Sequence, residues 1–257
     1  MKKVLLTTAT VALLSTSAFA MEAGKMYFRG DAGYQFSNQK NKVLGDTGSK
    51  KLKGFSGDIG FGYAFSDNIR TDMTVNFSRG KGKQKTDKLP AKYSYTSKNG
   101  GTVTNLDKDK AGTVTMTEKN VGLLFNGYYD FHNSSTFTPY IMGGVGVNRG
   151  NLELKFTGKD GTENKNFTIK SANKTGFAYQ VGFGTLYEVS KDVLLDVGYK
   201  LQGHGSKYKF KFKDKEVFSI DSKETGTKDK SFKSKDVFGT KTNAIQHTIT
   251  AGVIFAF

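Results

Sequence analysis

Alternation of apolar and polar residues with a period of two runs through eight segments of this chain. Such alternation places successive side chains on opposite faces of a β-strand. Strands of soluble proteins average about five or six residues, whereas strands that cross a bilayer at a tilt need about nine to eleven. Segments of ten to fourteen residues therefore favour membrane-crossing strands, here residues 26–37, 55–65, 69–78, 120–131, 137–148, 176–189, 193–202 and 245–257.

The connections between these segments alternate in length. The short turns are residues 66–68, 132–136 and 190–192. The long loops are residues 38–53, 80–116, 149–175 and 203–243. Short periplasmic turns and long extracellular loops are typical of outer-membrane barrels. The predicted fold is all-β, an eight-stranded antiparallel transmembrane β-barrel with four long extracellular loops and three short periplasmic turns; a soluble β-sandwich is the alternative.

Charged residues occur in mid-strand on one face of the segments, and the opposite face has almost none. Strands in a bilayer must pair every backbone amide, so they close into a barrel, and the charged face then turns to the lumen. Eight strands enclose an interior just wide enough for side chains to fill it. We therefore expect a plugged interior with a structural charge network rather than a water channel. The network residues are Arg29, Asp31, Asp58, Arg70, Asp72, Asp130, Asp196 and Lys200.

Aromatic residues on the apolar face cluster near the short turns and the C-terminus. This placement predicts an aromatic girdle at the periplasmic interface of the membrane. Its members are Phe28, Tyr63, Phe65, Tyr129, Phe131, Phe137, Tyr187, Phe255 and Phe257.

The first twenty residues have a different character from the rest. Two lysines precede an apolar stretch at residues 4–14, and Ala18-Phe19-Ala20 is a small-x-small cleavage site. This pattern predicts a secretory signal peptide over residues 1–20, with a buried N-terminal helix as the alternative. Residues 21–257 would then form a single outer-membrane β-barrel domain.

Few residues are suited to catalysis or metal binding. The chain has no cysteine, which excludes disulfides, thiolate nucleophiles and cysteine-based zinc sites. Its three histidines show no triad spacing, and Gly144-Val145-Gly146 lies on a strand rather than in a phosphate-binding loop before a helix. We expect no enzymatic activity, no metal and no cofactor. Nucleic acid is also a poor match, because the basic charge is spread over four loops without a recognition fold.

The basic charge is concentrated in the long loops. They carry 30 basic and 13 acidic residues, whereas the rest of the chain after residue 20 carries 7 and 10. In the last loop, lysines at every second position alternate with aromatic residues, which suits a ridge that attracts an anionic partner and offers it contact area. The candidate ligand-binding residues are Lys207, Tyr208, Lys209, Phe210, Lys211, Phe212, Lys213 and Lys215, with Lys81, Lys83 and Lys85 in the second loop.

Three simpler explanations of these lysines remain open. The last hairpin of the barrel would extend above the membrane with its lysines merely solvated. The lysine content would reflect composition alone. Lysines near the outer leaflet would pair with phosphates of lipopolysaccharide.

The C-terminal segment and the overall sequence pattern of the chain resemble those of known families. Residues Gly252 to Phe257 form an alternating strand that ends in phenylalanine, which resembles the signal read by the barrel-assembly machinery. The chain from residue 26 onward resembles small eight-stranded barrels of the OmpA/OmpX/Opa type. The stretch from Tyr27 to Tyr63, the strand from Pro139-Tyr140 to Gly146 and the lysine-rich loops are similar to rickettsial Adr-type surface adhesins.

These resemblances imply a bacterial outer-membrane location and a set of partners. They imply contact with outer-membrane lipid and lipopolysaccharide, and insertion by the barrel-assembly machinery through Phe257. Adhesins of this type are implied to bind host-cell surface or serum proteins, vitronectin among them; the loop chemistry also suits anionic glycans. We expect a monomeric adhesin. The alternative is a structural barrel that stabilises the envelope or binds lipopolysaccharide without a host ligand.

Overall fold

A computed structural model describes most of the chain that follows the predicted signal peptide. The described residues are 21–40, 49–86, 92–96, 103–107, 110–160, 162–211, 217–221, 230–232 and 237–257. Residues 1–20 lie outside them. Nowhere in these ranges is there a helix of the length and apolar character needed to span a bilayer.

Thirteen strands occur in the described residues, eight of them long. In chain order they are β1 (Met26–Lys40), β2 (Ser49–Ala64), β3 (Ile69–Thr86), β4 (Lys92–Thr96), β5 (Val103–Leu106), β6 (Gly112–Asp130), β7 (Phe137–Asp160), β8 (Glu163–Lys170), β9 (Lys174–Ser190), β10 (Val193–Lys211), β11 (Val217–Asp221), β12 (Lys230–Phe232) and β13 (Val237–Ala256).

The eight long strands close into one antiparallel barrel. Each pairs with the next long strand along the chain, and β6 pairs with β7 so that the order continues around the wall. The first and last strands complete the ring, with Tyr27 opposite Ala256 and Ser37 opposite Gln246. Closure leaves no unpaired edge in the part of the wall that faces lipid, which is the requirement for a sheet in hydrocarbon. The predicted eight-stranded antiparallel barrel is confirmed.

The outer wall carries a band of exposed apolar side chains. Phe55 is 73% exposed and Phe125 is 58% exposed, whereas the inward-facing residues Tyr27 and Asn126 are fully buried. Along each strand the band covers 9 to 13 residues, for example residues 137–147 of β7. This matches the length that a tilted strand needs to cross a bilayer.

Aromatic rings line the end of this band that lies next to the short connections. Tyr63 packs edge-to-face on Phe65 at 4.9 Å between ring centroids, and Phe137 packs on Tyr187 at 5.0 Å. Phe257 stacks on Phe28 at 6.2 Å across the β1–β13 seam. Apart from Phe255, the predicted girdle residues therefore contact another aromatic ring on the outer wall.

The predicted long loops are wrong in their extent. Six of the eight barrel strands run well beyond the lipid-facing band, so that β7 alone has 24 residues and ends at Asp160. The segments between strands also contain further strands: β8 forms a hairpin with β7, and β12, β11, β4 and β5 form a separate antiparallel sheet. The barrel strands continue beyond the band because these segments keep their two-residue alternation, but with the apolar residues on the other face.

This change of face is clearest on β6 and β7. Within the band of β7 the apolar residues are at odd positions and face lipid, as Val145 and Val147 do. Above the band they are at even positions and face inward, as Leu152 and Leu154 do, each at most 1% exposed. A barrel in lipid has its apolar face outside, whereas a barrel in water has it inside, so the switch marks the membrane surface.

Candidate functional site

The lower lumen holds an ion-pair network centred on Arg29. Its Nη2 atom lies 2.6 Å from Asp31 Oδ2 and 3.1 Å from Asp196 Oδ2, and its Nη1 atom lies 3.3 Å from Asp72 Oδ2. Nη1 also donates a hydrogen bond to the hydroxyl of Tyr128. All of these side chains are buried, so each charge depends on the others for its stabilisation.

Lys200 of β10 extends the network to Asp58 of β2. Its ammonium pairs with Asp58 and lies 3.3 Å from Asp31 Oδ1, and Asn76 donates a hydrogen bond to the same Asp58 carboxylate. The carboxylate of Asp31 therefore bridges Lys200 and Arg29. This bridge joins strands β1, β2, β3 and β10 across the lumen.

Arg70 forms a second centre below the first. Its Nε donates to Asp130 Oδ2 at 2.8 Å, and its guanidinium lies over the Tyr128 ring at 3.9 Å from the centroid. The guanidinium also lies 5.1 Å from the ring centroid of Tyr140, whose hydroxyl donates to Asp196 Oδ1 at 2.8 Å. The eight charged residues singled out in the sequence thus all lie in the lumen, joined to one another or to this second centre.

An apolar core fills the barrel above the membrane. We call it the upper apolar cluster, and its buried members come from six strands. They are Leu52, Leu106, Val114, Met116, Leu152, Leu154, Phe156, Phe167, Ile169 and Phe210. Phe156 stacks on Phe167 at 5.0 Å, and Phe167 stacks on Tyr95 of β4 at 5.4 Å. Strands from all four of the predicted long loops therefore share one core.

Polar side chains separate this cluster from the charge network. Gln180 donates to Asn126 at 2.6 Å, and Asn126 donates to Asp72. Near the cluster, His204 Nε2 lies 3.5 Å from Glu118 Oε1, with both side chains buried. His247 faces outward instead, and its Nδ1 atom lies 2.5 Å from the hydroxyl oxygen of Tyr199. No group of three or more His, Cys, Asp or Glu side chains able to hold a metal occurs in the described parts of the chain.

The candidate ligand-binding residues fall into three groups. Lys81, Lys83 and Lys85 are exposed on the outer face of the β3 extension, and we call them the lysine stripe. Phe210, however, is 1% exposed within the upper apolar cluster. Its assignment to a ligand-binding surface is therefore wrong, because a barrel standing in water turns its apolar face inward.

The other candidate residues of the last loop are described only in part. The backbone of β10 is paired with β13 through residue 211, so that Lys207 lies opposite Lys241 and Lys211 opposite Val237. Tyr208 and Lys209 lie between them on this paired strand. This pairing agrees with the simpler explanation that the last hairpin extends the barrel. The remaining candidates, Phe212, Lys213 and Lys215, lie outside the described residues.

Comparisons with known proteins agree with this architecture. Residues 6–255 match the family described as "Outer membrane protein beta-barrel domain". The chain is 31% identical to "Putative adhesin RP828" of Rickettsia prowazekii over 218 residues, covering 81% of this chain and 89% of that protein. It is also 31% identical to "Putative adhesin RC1281" of Rickettsia conorii over 176 residues, covering 68% of this chain and only 61% of that longer protein.

Among solved structures, the chain is similar to Neisserial surface protein A. The TM-score is 0.45 at 19% identity, and the match covers 90% of this chain and 97% of that one. The closed eight-stranded barrel, its lipid-facing band and the family match over nearly the whole chain lead to one assignment. The chain belongs to the outer-membrane protein β-barrel family and is located in the bacterial outer membrane.

Proposed function

We propose that this protein is a surface adhesin that binds host-cell surface proteins, serum proteins or anionic glycans through its cationic extension above the membrane. The observation that carries the proposal is the lysine stripe, three exposed ammonium groups at every second residue of β3. The family relatives named as adhesins support the same role. The proposal is of a binding protein and not of an enzyme.

The extension suits binding because its shape is fixed by packing. The upper apolar cluster joins barrel strands to the hairpin β7–β8 and to the small sheet through Leu106 and Tyr95. A pre-organised surface loses little conformational entropy when a partner docks. The extension thus presents its lysines on a rigid support rather than on free loops.

The charges on the outer wall of this support are of one sign along β3. Lys81 lies directly opposite Lys53 of β2, and Lys83 and Lys85 lie opposite Thr115 and Thr113 of β6. Among the described residues, no carboxylate is ion-paired with the stripe. Such a field raises the rate of encounter with acidic proteins and sulfated glycans, and this effect falls with ionic strength.

Surface display on a non-adherent bacterium provides the test. The variant Lys81→Gln/Lys83→Gln/Lys85→Gln should lower attachment to host cells, and binding to immobilised vitronectin or heparan sulfate, by about tenfold at low ionic strength. The control is Arg79→Gln/Lys119→Gln/Arg149→Gln, which removes equal charge from exposed sites nearer the membrane and should leave attachment unchanged. Equal attachment by wild type and stripe variant would instead favour a structural barrel without a host ligand.

We also propose that the last strand is the segment through which the barrel-assembly machinery inserts the protein. Phe257 is 57% exposed on the outer wall, and its backbone amide donates to the Met26 carbonyl at 2.9 Å. The residue thus completes the seam between β13 and β1. Deletion of Phe257 should lower the amount of protein in the outer membrane in cells, whereas refolding of the same variant in detergent should be nearly unchanged.

A further inference from the structure

The imidazole of His204 and the carboxylate of Glu118 meet inside the barrel, at the lower edge of the upper apolar cluster. His204 is on β10, and Glu118 is on β6, two residues nearer the membrane than Met116 of the cluster. Both side chains are 1% exposed, and His204 Nε2 lies 3.5 Å from Glu118 Oε1. Polar groups buried this deeply need partners, because water no longer reaches them.

The distance between these two groups is too long for a charge-assisted hydrogen bond. Such N–H···O bonds measure about 2.7–2.9 Å, and neither ring nitrogen of His204 has a hydrogen-bond partner among the described residues. The distance fits two ligands of one metal ion instead. Histidine nitrogen and carboxylate oxygen each lie about 2.0–2.2 Å from zinc, so at the tetrahedral angle they are about 3.4 Å apart.

Gln35 of β1 brings a third acceptor to the same layer. It lies opposite Gly54 of β2, which lies opposite Gly80 of β3, which in turn lies opposite Glu118. The two glycines leave room for the Gln35 side chain to cross both strands, and its Nε2 is 3.3 Å from where a Cβ atom at Gly80 would be. Gln35 is buried, and its Oε1 atom has no hydrogen-bond partner among the described residues.

The three groups have the chemistry of metal ligands. A carboxylate, an amide oxygen and a neutral imidazole nitrogen all offer lone pairs, so a cation satisfies them together. Imidazole suits zinc, copper, iron and nickel, whereas magnesium and calcium prefer oxygen ligands. The donor set therefore favours a transition metal over an alkaline-earth ion.

We propose that Glu118, His204 and Gln35 bind one divalent transition-metal ion, with Zn²⁺ as the ion that this donor set suits best. Two of the ligands belong to residue types common in metal sites, and the third is an amide oxygen. The ion joins β6, β10 and β1 across the lumen. It fixes the extension to the membrane-embedded wall at the level where the two meet, and this role is independent of adhesion.

The test measures zinc binding by the full-length mature protein, folded in detergent and treated with EDTA. Isothermal titration with zinc chloride should show one site, and excess Mg²⁺ should not displace the zinc. X-ray absorption at the zinc edge should show nitrogen and oxygen ligands at about 2.0–2.2 Å. The ligand variants are His204→Leu and Glu118→Leu, whose side chains offer no lone pair. The matched control is His132→Leu, at an exposed histidine in a short turn.

Each ligand variant should bind zinc at least tenfold more weakly than wild type and the control, since loss of even a group that only orients a ligand lowers metal affinity about 10–100-fold. Zinc should also slow hydrogen exchange at residues 116–120 and 202–206 in wild type, with no such change in His204→Leu. Failure of folded wild type to bind zinc, or equal binding by His204→Leu and His132→Leu, would overturn the proposal. Heat-dependent gel migration and circular dichroism verify that the variants fold.

Discussion

At the scale of single residues, Arg29 pairs with more carboxylates than Arg70 or Lys200 does. Replacing it in Arg29→Met leaves the carboxylates of Asp31, Asp72 and Asp196 buried without their shared cation. Breaking a buried ion pair from one side costs about 3–5 kcal/mol. Urea unfolding in lipid vesicles should show a loss of this size, whereas Lys159→Met, at an exposed position, should change the unfolding free energy by less than about 0.5 kcal/mol.

Glycines on the two faces of β7 should respond differently to the same substitution. A Cβ atom at Gly146 would lie against the carbonyl oxygen of Leu123 and within 2.8 Å of the Leu124 Cα, and neither backbone atom can move freely. Gly143 faces outward with nothing within 4 Å of that position. Gly146→Ala should therefore lower stability by about 1–3 kcal/mol or prevent folding. Gly143→Ala should refold like wild type, and equal effects would contradict this reading of β7.

One exposed ion pair gives a pH dependence outside the membrane. Lys25 Nζ donates to Asp192 Oδ1 at 2.8 Å, and this hydrogen bond lowers the pKa of the Asp192 carboxyl below its usual value. The small contribution to stability is therefore present above the unfolded carboxyl pKa of about 3.9 and is lost as pH falls through the lower folded value. NMR titration of Asp192 should show this lowered pKa, and the variant Lys25→Met should return it to the ordinary range.

At the scale of elements, the upper apolar cluster should determine whether the extension stays folded. Phe156 is 1% exposed and stacks on Phe167, so Phe156→Ala removes a ring from the middle of the cluster. Large-to-small changes of this kind cost about 3–5 kcal/mol. We expect faster protease cleavage and hydrogen exchange between β7 and β8, with the lipid-embedded strands unaffected. The exposed neighbour Lys155→Ala should not change either rate, and similar rates for both variants would show that the cluster is not a cooperative unit.

The elements differ in how well local alternation predicts them. The lipid-facing segments are predictable because their alternation is regular and long. Their extensions are predicted as loops, although Leu152, Leu154 and Phe156 alternate with Glu153 and Lys155. The shift of apolar residues from odd to even positions is the signal that identifies these extensions as strands. The same shift places Phe210 inside the barrel rather than on a binding surface.

At the scale of the whole molecule, the apolar band should make folding dependent on an amphiphile. Aromatic and branched side chains cover the outer wall, with Phe55, Phe65 and Phe177 each more than 60% exposed. Soluble monomers do not expose apolar patches of this extent. The purified protein should be monodisperse and heat-modifiable on gels only with detergent or lipid. A folded monomer in plain buffer, shown by ultracentrifugation, would contradict the membrane assignment.

The filled interior should prevent ion conduction. Arg29, Arg70 and Lys200 cross the lumen with their carboxylate partners, and the upper apolar cluster lies above them. In planar bilayers we therefore expect no single-channel steps. Regular conductance steps in wild-type protein, with no change in Arg29→Met, would show that ions pass by another route.

The sequence by itself determined the strands that cross the membrane, the face of each that meets lipid, and the eight charges that enter the lumen. These follow from local alternation, because a strand's two faces are set by position along the chain. The tertiary structure alone decided which of these charges meet, since Arg29 and Asp196 are 167 residues apart. It likewise decided that Leu52, Leu106 and Phe210 share one apolar core. Strand order and register bring such residues together, and no local pattern records them.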